Sequence, residues 1–212
     1  MGIAERKDRE KRQRRARIMN AAKKVFTEKG FGGATIEEIA QEAELSPATL
    51  YLYFNNKNDL FASLNLSMLR YLVKRMEEVR DEPGLGHHER VTRLADALYR
   101  VYKNDPLILF NVLHMQSTKA LTGLSPATLE EIKALSARAH RAIAHVFREG
   151  ADQGAFEDFG ASAVADMAWG VFTGLVLWEE AKRLLDPRKN FLRPTLKTSF
   201  EIIARGVAKS SS

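Results

Sequence analysis

The sequence predicts an all-α fold, and three observations carry that expectation. Apolar residues recur at helical spacing along nearly the whole chain, the stretches so marked end at Gly and Pro breaks, and no segment alternates apolar and polar residues as a strand does. With 45% hydrophobic and 28% charged residues, and only 13 Gly and 6 Pro among 212, the balance is that of a folded chain long enough for a small and a medium domain.

Residues 1–10 read as a flexible basic arm. In the first helix Ile18, Ala22, Val25 and Phe26 make a one-faced stripe that stops at Lys29-Gly30, where Gly can take a left-handed cap. Thr35-Ile36-Glu37-Glu38 is a capping box, with the Thr35 side chain accepting from the Glu38 amide and the Glu38 carboxylate reaching back, so a second helix starts at Thr35. Its inner face reads Ile36, Ile39, Ala40 and Ala43, and the two alanines permit another helix to cross closely. Ser46 is an N-cap and Pro47 suits the first position of a third short helix, anchored inward by Leu50 and Phe54. Two short helices about a tight turn are a helix-turn-helix, expected over 11–57. In that geometry the second helix of the pair enters the major groove of DNA and turns Pro47, Ala48, Thr49 and Tyr51 to the bases.

Residues 58–209 predict a helical bundle. Past Asn56, an N-cap, a helix runs to about Arg80 and stops at Asp81-Glu82-Pro83-Gly84. Further helices are expected over about His88–Lys103, Pro106–Ala120, Pro126–Glu149, Gly160–Leu184 and Arg193–Val207, about nine in all, with a frayed tail of three serines. Ala161 to Trp178 is apolar around most of its circumference and long enough for a short membrane span. Its Asp166, Gly170, Thr173 and Gly174, and its place between charged helices, favour a buried helix instead, covered on several sides, with another subunit as one candidate cover.

Charge is concentrated at one end. Met1 to Lys24 hold ten Lys/Arg against three acids, +7 of a net +6, which leaves −1 for the rest. Such an arm attracts a polyanion, because each neutralised phosphate releases condensed counterions; a solvated tail is the alternative. The absence of cysteine excludes disulfides, thiolate zinc sites and cysteine nucleophiles. No G-x-S-x-G, phosphate-cradling glycine loop, HExxH pair or metal-spaced histidines are present, so no enzyme, metal or cofactor is expected. The charged N-terminus is not an export signal, and a cytoplasmic protein with no membrane association is expected.

Thr35-Ile36-Glu37-Glu38-Ile39-Ala40, then Leu45 to Phe54 as LSPATLYLYF, then Asn56-Lys57-Asn58-Asp59-Leu60, closely resemble the DNA-binding domain of the TetR family of transcriptional regulators, from Ile18 to about Leu64. The resemblance implies phosphate contacts from Thr35, Tyr53 and Lys57, and base or groove contacts from Ser46, Pro47, Ala48, Thr49 and Tyr51. Phosphate contacts set register and base contacts set sequence. Tyr51 and Ala48 can touch thymine methyl groups, while the recognition helix offers no Arg or Asn for bidentate readout. Arg14, Arg15 and Arg17 are expected to tether the arm to the minor groove or backbone, as arms do in other helix-turn-helix proteins. Glu44 departs from the family pattern, standing where Gly is frequent; a positive φ there costs about 1 kcal/mol.

The resemblance also implies a homodimer through the helices at about 160–184 and 193–207, on a palindromic operator in double-stranded DNA. It implies as well a pocket for a hydrophobic or amphipathic small-molecule effector. Phe110, Leu113, His114, Met115, Trp169 and Phe172 are candidate pocket residues by type, with ordinary core packing as the alternative for each. Repression is the family default; an activator would carry the same N-terminal sequence.

Overall fold

The computed structural model describes residues 2–104, 124–186, 188 and 190–209. Among them are eight helices: α1 (Ile3–Gly33), α2 (Ile36–Glu42), α3 (Pro47–Tyr51), α4 (Lys57–Asp81), α5 (His87–Asn104), α6 (Pro126–Asp152), α7 (Ala161–Leu185) and α8 (Leu192–Val207). The described residues are all-α apart from one isolated antiparallel bridge between Phe156 and Ala208. The helix expected over Pro106–Ala120 lies outside the described residues. The chain divides into two compact units, and the described residues of the first are 2–67 and 124–131, those of the second 68–104 and 132 onward.

The predicted caps set the helix starts. Thr35 and Glu38 exchange both capping-box bonds, at 3.2 and 3.0 Å, and Ser46 Oγ accepts the Thr49 amide at 3.2 Å. Asn56 Oδ1 accepts the Asp59 amide at 2.8 Å, and Ser125 Oγ, a further cap not foreseen from the sequence, accepts the Thr128 amide at 3.1 Å ahead of Pro126. Two features of α1 differ from expectation. The arm is helical from Ile3, held by i,i+4 pairs between Arg6 and Glu10 at 2.9 Å and between Asp8 and Arg12 at 3.0 Å. Gly30 has the expected positive φ, 67°, but with ψ at 171° it kinks the helix, which continues for one turn to Gly33.

The first unit closes around Ile18, Ala22 and Phe26 of α1, Ile39 and Ala40 of α2, Leu50 of α3, and Leu60 and Phe61 of α4, all buried. Phe26, Phe31 and Phe61 meet ring to ring at 5.0 to 5.7 Å between centroids, which locks the kinked end of α1 to α4. Leu50 and Phe54 point inward, so the opposite face of α3 is left to solvent.

In the second unit α8 packs along α5 and beside α7. Arg138 grips Glu77 through two bonds, at 2.6 and 2.8 Å. Gly150 lies in α6 because the Phe156 ring passes so close that a Cβ would stand 2.2 Å from it. Glu179 is buried, and accepts the Phe191 amide and the Lys182 ammonium, each at 2.6 Å. Burial alone would raise its carboxyl, but those bonds and the Leu192 amide outweigh it and hold the group below the usual carboxylate range.

The apolar helix is not buried within its own chain. α7 is long and apolar enough to cross a membrane by length and composition, yet only 28% of its most apolar window is covered by this chain. Met167, Leu177 and Trp178 of α7 and Ile202 of α8 are exposed, Trp178 at 63% and Ile202 at 65%. The helical period says that such a helix must be covered, but not that its own chain does the covering.

Candidate nucleic-acid interface

The first unit presents the outer face of α3. Ala48, Tyr51 and Leu52 occupy positions i, i+3 and i+4, which share one side of a helix, and all three are exposed. Tyr51 is 54% exposed and Leu52, the C-cap residue, 78%. Thr49 and Ser46 bond to each other, hydroxyl to hydroxyl at 2.9 Å, while Pro47 opens the helix. Sequence reasoning passes over Leu52. Its position four residues after Ala48 and next to Tyr51 is the signal that places it on this face.

Among the residues proposed for phosphate contact, Thr35 is exposed at the N-terminus of α2, its hydroxyl oxygen accepting the Glu38 amide. Lys29 at 2.7 Å, with the Thr35 amide, holds the Glu38 carboxyl beside it below its ordinary range. Tyr53 is half-buried and packs on the core. Lys57 is differently placed. Its ammonium donates to the Phe31 and Ala34 carbonyls, each at 2.9 Å, and lies 4.5 Å from the centre of the Phe31 ring. It ties the end of α1 to the start of α4, and a phosphate could take only its third proton.

The arginines of the arm also divide. Arg15 is drawn back into the unit, donating to Ser63 Oγ at 3.1 Å with its guanidinium 5.1 Å from the centre of the Phe54 ring. Arg17 pairs with the Glu44 carboxylate at 2.5 Å in the turn between α2 and α3. Arg14 stands exposed. Glu44 has φ 52°, the conformation expected at this turn for Gly, and it is the one non-Gly residue with positive φ among the described residues.

Glu44→Gly is therefore expected to remove about 1 kcal/mol of backbone strain, against an exposed ion pair worth a few tenths. It also frees Arg17 for a phosphate. Thermal unfolding should show unchanged or modestly raised stability, and DNA binding should tighten with a salt slope steeper by about one. Weaker binding at low salt would count against this account of the turn.

Of the candidate pocket residues, Phe172 is buried and Trp169 half-buried, with their rings 5.5 Å apart. Phe110, Leu113, His114 and Met115 lie outside the described residues. His88 meets Glu201 at 3.1 Å and His140 meets Asp166 at 3.0 Å; no group of metal-ligating side chains occurs among the described residues.

The family model described as bacterial regulatory proteins, tetR family, matches residues 18–64, which contain α2, α3 and the Lys57 bridge. The HTH-type transcriptional regulator YhgD of Bacillus subtilis is 31% identical over 96 residues, 45% of this chain and 50% of that protein. The fatty acid metabolism regulator protein of the same species is 36% identical over 69 residues, 32% of this chain and 36% of that protein. The matched stretches thus span between about a third and a half of these relatives. Similarity of fold reaches further. The TetR family transcriptional regulator PfmR from Thermus thermophilus superposes with a TM-score of 0.74 at 22% identity, covering 91% of this chain and 99% of that one. The transcriptional regulator FadR from Bacillus subtilis, solved in complex with stearoyl-CoA, gives 0.70 at 21% identity, covering 91% and 98%.

Proposed function

We propose that the chain, whose residues 18–64 match the model of the tetR family of bacterial regulatory proteins, is a TetR-family regulator, a cytoplasmic, ligand-released repressor acting as a homodimer on a palindromic operator. The observation that carries DNA binding is α3, fixed from within by Leu50 and Phe54, capped by Ser46, and bare on its outer side. Thr35, Tyr53 and Arg14 would meet phosphates, with Ser46, Pro47, Ala48, Thr49 and Tyr51 at the groove; Arg17 would join them on leaving Glu44, while Arg15 and Lys57 act chiefly within the unit.

The uncovered face of α7 and α8 supports dimerisation, since an apolar patch of this kind needs a cover and two recognition helices about 34 Å apart read successive major grooves. A hydrophobic or amphipathic effector is favoured by the FadR neighbour, whose bound molecule is a long-chain acyl-CoA. The chain passes from one unit to the other along α4, so an effector that prefers one setting of α4 would change DNA affinity by its differential binding.

The test is titration of the purified full chain against its own promoter DNA at several salt concentrations, with and without stearoyl-CoA as a probe, beside Tyr51→Ala. Saturable, promoter-selective binding that the variant loses and an acyl-CoA weakens is expected. Binding indifferent to sequence and to Tyr51→Ala would reduce the protein to a basic helical one, and selective binding indifferent to acyl-CoA would remove that effector class.

A further inference from the structure

We infer that α3 reads its operator mainly through the C5-methyl groups of thymines, with Leu52 as the residue that sets this preference. The inference rests on the reading of α3 as the recognition helix and names the chemistry that it recognises. The outer face of α3 is Ala48, Tyr51 and Leu52, and apart from the Tyr51 hydroxyl it offers only carbon. Of the hydroxyls that can read base edges, those of Ser46 and Thr49 are 2.9 Å apart, so one of their two protons is spent between them, and Ser46 also accepts the Thr49 amide.

A branched aliphatic side chain 78% exposed has no role in the core of its own unit, which Leu50 and Phe54 already fill from the other side of α3. In the major groove the group complementary to such a side chain is the thymine methyl, the only apolar feature that the four bases present there. Burying a methyl against Leu52 is worth about fourfold in affinity, and two symmetry-related half-sites double the free energy to about fifteenfold. Tyr51, beside it, adds aromatic surface for a second methyl, and its hydroxyl reaches for the backbone.

The experiment begins by selecting an operator from random duplex DNA with the full-length protein, so that no genomic site is assumed. Each thymine of the selected half-site is then replaced by uracil, which removes only the methyl, in both half-sites together. At one or two positions the substitution should weaken binding by about fifteenfold. Leu52→Ala, a change at an exposed site, should leave the melting temperature unchanged and abolish the difference between thymine and uracil at one of those positions. The inference is overturned by a selected half-site without thymine, by equal binding of thymine and uracil operators, or by Leu52→Ala weakening both equally. A protein that selects no sequence at all overturns the regulator reading too, whereas one that selects a site and ignores the methyls overturns this inference alone.

Discussion

The double variant Trp178→Glu, Ile202→Glu is expected to be monomeric and to bind operator DNA at least roughly a hundredfold more weakly than the native chain, the lower end of what linking two binding modules contributes. Both side chains stand mostly in solvent in the single chain, at 63% and 65% exposure, so glutamate there disturbs little packing within the protomer. In a dimer closed through α7 and α8 the same substitutions bury four carboxylates without partners, each at a cost of several kcal/mol. Loss of the dimer leaves each recognition helix reading half a palindrome. Light scattering gives the mass, circular dichroism shows whether the helices persist, and anisotropy with labelled operator gives the affinity. A variant that stays dimeric places the interface elsewhere, and a native chain that is already monomeric removes the dimer from the mechanism.

What the sequence announces well is local. The capping box at Thr35 and Glu38, the Ser46 cap before Pro47 and the Asn56 cap before α4 each depend on residues within four positions, and each occurs as the spacing implies. Glu44 is legible for the same reason, because the turn itself demands a positive φ whatever residue occupies it. Less visible is anything decided across long stretches of chain. Arg17 meets Glu44 27 positions away, and the carbonyls that hold Lys57 lie 26 and 23 positions before it. The charge run of the arm shows net repulsion as composition, but its helix follows from pairing at i,i+4, a detail of order. For α7 the pattern is clear and its meaning is not. An apolar circumference states a demand for cover, and a second chain satisfies that demand as well as the first.

The bridge from Lys57 leads to the second large effect. Lys57→Met keeps the aliphatic stem and its contact with Phe31 but removes the ammonium that donates to the Phe31 and Ala34 carbonyls. Taking a charged donor away from two partly buried carbonyls costs about 1–3 kcal/mol, and the first unit has only a small core with which to absorb it. A markedly lower melting temperature is therefore expected. DNA affinity at a temperature where the variant is folded should fall by no more than a few-fold, with the dependence on salt unchanged. If Lys57 were instead chiefly a phosphate ligand, stability would hold while affinity fell alike on all sequences and the salt slope dropped by about one. Measuring both quantities on one variant separates the roles, and it also decides how any loss of DNA binding at this position is to be read. A lysine that holds α1 to α4 governs the platform beneath α3, so above the variant's lowered melting temperature its removal abolishes binding without ever having touched a phosphate.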